Sequence, residues 1–218
     1  ELWENRSLYL APLIVAGVQV LGFGVFAFGL PARRRAALLL DPVHQRAAIE
    51  SPYDIAAIML IFTAFIVAVF YCLDALYGER RDRSILFWKS LPVSDLTTVL
   101  SKAMIPLVVL PLIIFAVAVG TQVIMWLDSS VILLLNGMRP ATYAQLPLFQ
   151  SWLVLIYGLV ALALWHAPIY GWLLLISGWA RRAAFLWAVL PLVTLSTIEK
   201  VTFQTSYVGS FLRYRLLG

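Results

Sequence analysis

From Leu8 to Leu30 the chain carries no charged side chain. A helix needs about 20 apolar residues to cross the hydrocarbon core of a bilayer, and this stretch supplies them. Four further runs follow the same rule. They are 53–77, with Asp54 and Asp74 near its ends; 96–127, with Lys102 near its start; 151–180, which holds His166 but no Asp, Glu, Lys or Arg; and 183–198, where Glu199 and Lys200 stop it. Backbone polar groups in lipid must be satisfied within their own segment, so each run is expected to be a helix.

Composition agrees. The 218 residues are 62% hydrophobic and 12% charged, against about 45–50% and about 25% for soluble domains. The expected fold is an all-α integral membrane protein with a single transmembrane domain over 1–218. Residues 201–212 are apolar and aromatic but too short to cross. Two readings stand for them, a re-entrant or interfacial segment and an ordered loop on the membrane surface. A start at Glu1 and the abrupt ending at Gly218 lead us to expect that one or both ends are incomplete. The net charge of +5 does not point to nucleic acid, because the basic residues are scattered between spans; cations beside helix ends meet anionic lipid.

Orientation is read from cations in short loops. Arg6, the group Arg80, Arg81, Arg83, Lys89 and Lys102, and the pair Arg181 and Arg182 share one side of a five-span chain. Arg33, Arg34, Arg35, Arg46, Arg139, Lys200, Arg213 and Arg215 share the other. The two sides are evenly matched. The tight cluster after span two places the N-terminus and the 78–95 connector in the cytoplasm, and the 33–35 arginine run is the evidence against it.

Within the spans, Pro106, Pro111, Pro168 and Pro191 are read as kinks that neighbouring helices tolerate. Gly17, Gly22, Gly24 and Gly29 in span one are read as close-packing positions. Asp54 and Asp74 sit near span ends. His166 lies deeper, beside a proline that frees a backbone acceptor; a hydrogen-bonded structural role is favoured over a substrate contact in a pathway. The tryptophans near span ends form the usual aromatic belt. Cys72 stands alone, so no internal disulfide is available.

Chemistry-bearing motifs are missing. There is no GxxxxGK[ST] phosphate loop, no HExxH and no GxSxG elbow, so neither nucleotide hydrolysis nor a familiar hydrolase centre is supported. What stands out instead is the connector. Residues 79–83 (ERRDR) are a solvated charge cluster, Ser84 to Lys89 hold Ile85, Leu86, Phe87 and Trp88, and Leu91-Pro92-Val93-Ser94-Asp95 breaks the chain, with Ser94 or Asp95 available to cap the next helix. A short helix along the membrane surface over 79–95 is expected.

The run YGERRDRSILFWKSLPVSDLTTVLSK resembles the cytoplasmic segment of bacterial ABC-2 type transporter permeases. The matching residues are Glu79-Arg80, Ser84, Phe87-Trp88, Ser90-Leu91-Pro92, Ser94 and Lys102, and the entry ELWENRSLYLAP is similar as well. The specific match covers about 25 residues plus this entry. The resemblance implies an ABC-2 type (type V exporter-like) helical bundle, five visible spans of an expected six, in the bacterial inner membrane. It implies a second permease chain, identical or different, and two copies of an ABC ATPase subunit that hold ATP and Mg; this chain itself would hold no cofactor, metal or catalytic residue. The 79–95 segment would be the coupling helix, with Glu79, Arg80, Arg81, Asp82, Arg83, Ser84, Phe87, Trp88 and Lys89 against the ATPase. The implied function is export driven by that partner's ATP hydrolysis. A membrane-embedded enzyme or an assembly scaffold without an ATPase is the competing reading. Two departures are the missing sixth span and a basic 31–52 loop that would face outward.

Overall fold

A computed structural model of the chain describes residues 5–81, 94–141 and 146–217. All regular structure among them is helical: α1 Ser7–Ala27, α2 Leu30–Ala37, α3 Pro42–Asp74, α4 Tyr77–Arg81, α5 Asp95–Met104, a π-helical turn Ile105–Val109, α6 Leu110–Leu135, α7 Leu148–Trp179, α8 Ala184–Phe203 and α9 Tyr207–Leu217. Among the described residues five helical stretches are long and apolar enough to cross a membrane: Ser7–Ala27, Pro42–Arg81, Asp95–Leu135, Leu148–Trp179 and Ala184–Phe203. This is the architecture of a multi-pass membrane protein.

The helices overrun the expected spans, each for a local reason. The second begins at Pro42 rather than residue 53. Proline suits a first helical position because its missing N–H would have had no partner there, and Gln45 N–H closes the first turn on the Asp41 carbonyl at 2.9 Å. Residues 42–52 stay helical before the apolar run, carrying an i,i+4 pair between Arg46 and Glu50 at 2.7 Å. Together with α2, this replaces the expected 31–52 loop. The third stretch passes Asp128 and ends at Asn136-Gly137. Gly137 takes φ +70, Met138 N–H reaches the Leu133 carbonyl at 2.9 Å and Gly137 N–H the Leu134 carbonyl at 3.0 Å. These are the paired bonds of a Schellman terminus, which favours glycine. Glu199 and Lys200 do not stop the fifth span, which runs on to Phe203.

Of the four kink prolines, Pro106 has a specific outcome. It falls in the π-helical turn, where Leu110 N–H bonds the Ile105 carbonyl five residues back. Such widened turns accommodate an interrupted ladder. The glycines of α1 correct the close-packing expectation. Within this chain a Cβ added at Gly17, Gly22 or Gly24 would meet no heavy atom within 4 Å beyond its own helical turn, and Gly29, which lies between α1 and α2, has only local neighbours, the Phe26 carbonyl at 3.6 Å and Arg33 Nε at 3.7 Å.

The chain divides into two compact units. Unit 1 comprises 1–67 and 111–159. Its core gathers Phe23, Ala27, Tyr53, Ala56, Met125 and Leu146, with the Phe23 and Tyr53 rings 6.1 Å apart. Polar groups within it are paired across helices. Gln122 Nε2 donates to the Tyr53 carbonyl at 3.2 Å, Trp152 Nε1 donates to Gln122 Oε1 at 2.8 Å, and the Tyr53 and Ser129 hydroxyls share a bond at 3.2 Å. With little hydrophobic drive between helices in lipid, such bonds and shape fit hold spans together.

Unit 2 comprises 68–110 and 160–218. Here the end of α7 and the start of α8 form an antiparallel hairpin, broken at Ala183 (φ 49). Trp179 meets Trp187 edge-on at 5.0 Å, and Trp172 Nε1 donates to the Ala188 carbonyl at 3.2 Å. Residues 201–212 are divided: 201–203 finish α8, 204–206 form a break, and α9, a helix that turns back toward α8, opens at Tyr207. Glu199 drives the reversal. Its carboxylate accepts from Thr205 Oγ1 at 2.9 Å, Tyr207 N–H at 2.6 Å and Val208 N–H at 2.8 Å, satisfying the unpaired amides at the start of α9.

Candidate functional site

The base of the connector lies in unit 2 and is built from four tethers. Lys102 enters a largely apolar stretch, where a lone ammonium would be costly. It is paired: Lys102 Nζ donates to Glu79 Oε1 at 2.5 Å, with the two side chains 5% and 15% exposed. The pair ties the far side of the connector to its near side, 23 residues apart in sequence.

The second and third tethers share one hydroxyl. The break between α3 and α4 leaves amides without helical acceptors. Ser177 Oγ, fully buried, accepts Leu76 N–H at 3.0 Å and Tyr77 N–H at 2.9 Å. The fourth is Arg80, whose guanidinium donates to the carbonyl of Ala180 just past the end of α7. That is where a helix leaves acceptors open and favours a cation. Gly78 completes the turn: a Cβ there would come within 3.3 Å of the Asp74 carboxylate. On the far side, Ser94 caps α5, its Oγ accepting Thr97 N–H at 3.2 Å.

Of the nine residues expected to meet an ATPase, Glu79 and Arg80 are thus partly buried and engaged within the chain, and Arg81 is exposed at the end of α4. Asp82, Arg83, Ser84, Phe87, Trp88 and Lys89 lie outside the described residues, as does most of the expected 79–95 helix.

His166 is buried, and its Nδ1 donates to the Leu162 carbonyl at 2.8 Å; the ring centroid lies 6.3 Å from that of Tyr170. The acceptor is the carbonyl four residues back on the same helix. The one freed by Pro168 is that of Leu164, so the proline is not what supplies the bond.

Beside it stands a pair absent from the sequence expectations. Arg215 on α9 holds its guanidinium 4.8 Å from the Trp165 ring and donates to the Trp165 carbonyl at 3.4 Å, while Trp165 Nε1 donates to the Arg215 carbonyl at 3.1 Å. Arg215 lies eight residues beyond Tyr207, about 12 Å along the helix, most of one leaflet of a core ~30 Å thick. No carboxylate among the described residues forms an ion pair with it.

No family model matches the chain, and no curated protein or solved structure is similar to it.

Sequence reasoning marked the connector but missed what holds its base. Opposite charges flanking two apolar runs, Glu79 and Lys102, were a usable signal. Ser177, a small hydroxyl among Leu173, Leu174, Leu175 and Ile176, gave none.

Proposed function

We propose that this chain is the transmembrane permease subunit of an ATP-binding cassette transporter of the ABC-2 type, working as an exporter in a bacterial inner membrane. Its partners are a second permease chain and two copies of a separate ATPase subunit, which hold ATP and Mg. The connector after the second span acts as the coupling helix.

The observation that carries this reading is the largely buried Glu79–Lys102 pair. A coupling element must pass force to the spans rather than swing on a loose hinge. Here both flanks of the connector are locked together, and the near flank is further held on α7 through Ser177 and Ala180. Displacement of the connector by a partner would therefore move the second, third and fourth spans where they meet it. The nucleotide does this work only through a difference in the partner's affinity for two states of the chain.

Affinity purification of the chain from its native membranes tests the proposal. The expected result is co-elution of a protein bearing a phosphate-loop sequence, lost when Phe87 and Trp88 are changed to alanine and weakened by Arg81→Glu. An intact chain that elutes with no such ATPase, or co-elution unmoved by these substitutions, would overturn the proposal in favour of an enzyme or scaffold acting alone.

A further inference from the structure

Unit 1 contains a cavity of about 600 Å³, within the range of ordinary ligand sites. Its lining shows a direction. On α1 the lining residues step from Phe26 through Phe23 and Gly22 to Gln19; on α3 from Ala48 through Pro52 and Ile55 to Met59; on α6 from Leu133 through Ser129 to Met125. All three series run from the level of α2 into the spans. Ala48 to Met59 is eleven residues, about 16 Å of helix, close to half of a hydrocarbon core ~30 Å thick.

The outer end is cationic. Arg33 and Arg34 of α2 both line it. Arg33 is exposed and lies 3.9 Å from the Phe26 ring centroid, while Arg34 is buried. Burial pulls the Arg34 guanidinium below its ordinary value, and a guanidinium is the side-chain cation that keeps its charge in proteins. The walls below are apolar, and Ile55 and Met59 remain half-exposed, so the cavity is open toward the surrounding medium. Gly22 adds room, since nothing stands within 4 Å of where its Cβ would be.

We propose that this cavity is a binding site for an anionic phospholipid drawn from the surrounding bilayer. The phosphate is held by Arg33 and Arg34, and one acyl chain lies along Phe23, Phe26, Met59 and Met125. Three features select this occupant: paired guanidinium groups suited to a phosphate, an apolar shaft one leaflet deep, and a side opening in a chain that spans membranes. The site is independent of any ATPase, so its failure and that of the transporter reading are separate results.

The test is photo-crosslinking of the full chain reconstituted in phosphatidylcholine vesicles, with a trace of phosphatidylglycerol or phosphatidylcholine carrying a photoreactive acyl chain. Labelled peptides are read by mass spectrometry. Phosphatidylglycerol is expected to label the cavity peptides of α1, α3 and α6 about tenfold more than phosphatidylcholine, the size of one charge-assisted hydrogen bond. Arg33→Ala should remove most of that preference. Gly22→Leu should reduce labelling by either lipid, because its Cβ meets no neighbouring element within 4 Å and the rest of the side chain takes up room in the cavity that Gly22 lines. Equal labelling by the two lipids, or labelling unmoved by Gly22→Leu, would overturn the site. Suppression of labelling by millimolar inorganic phosphate would show a bare anion site and overturn the lipid assignment. Arg34→Ala is a harsher change; Arg33→Ala, on an exposed residue, decides if that variant fails to fold.

Discussion

Glu79 and Lys102 form a 2.5 Å ion pair that closes the connector between the second and third spans at its base. Removing one partner of a buried pair leaves an uncompensated charge, at a cost of about 3–5 kcal/mol, whereas replacing both with apolar groups is often neutral. Glu79→Leu and Lys102→Met are each expected to lower the apparent melting temperature in detergent sharply. The double variant should recover most of the loss. Simple addition of the two single effects in this cycle would show that the residues do not act as a pair.

Ser177 accepts two backbone amides with a single oxygen. Ser177→Ala leaves both without their acceptor, and an orphaned buried donor costs about 1–3 kcal/mol. We expect faster amide exchange at Leu76 and Tyr77 together with reduced thermal stability. Gly178→Ala is the control, since the new Cβ would lie an ordinary 3.4 Å from Leu76 and should leave exchange at those amides unchanged. Equal protection in Ser177→Ala and the native chain would remove this tether.

The reversal at 204–206 places α9 beside α8 and Arg215 beside Trp165. In reconstituted vesicles, Thr205→Cys is therefore expected to react with a membrane-impermeant maleimide applied on its own side. Tyr214→Cys, two turns deeper, should react far more slowly. Glu199→Ala removes all three acceptor bonds at the start of α9 and should raise the reactivity of Tyr214→Cys. Comparable labelling at positions 205 and 214 in the native background would refute the re-entrant placement.

Gln122 is the hub of the unit 1 polar network, donating to the Tyr53 carbonyl and accepting from Trp152. Interhelical hydrogen bonds in membranes average about 0.6 kcal/mol, with ~1.7 the largest. Gln122→Leu should therefore weaken the chain only modestly, less than Lys102→Met does. The Trp152 indole, losing its acceptor, should shift its fluorescence in a single-tryptophan background. A loss larger than that of Lys102→Met would mean that Gln122 has a role beyond these two bonds.

The five spans were legible because an uncharged run of this length has one low-energy solution in lipid. Their ends were not, because charge was taken as the boundary. Asp128 and Glu199 lie inside helices whose true stops are Gly137, with its positive φ, and Gln204, left-handed at φ 53. The Asp41-Pro42 start and the Asn136-Gly137 stop carried that information locally. The Glu79–Lys102 pair and the Ser177 acceptor were out of reach for a different reason: they join positions 23 and 100 residues apart, and no periodicity reports which helices become neighbours.

The doubling back of α9 also bears on how the chain is threaded during synthesis. Arg213 and Arg215 belong to a helix that turns back beside α8 instead of trailing from it, so a tally that counts them with Lys200 treats a packed helix as a free tail. With those two set aside, the two sides are no longer evenly matched: the side of Arg6, the connector and the Arg181-Arg182 turn carries more cations, and cation-rich short loops are the ones the positive-inside rule expects to be retained.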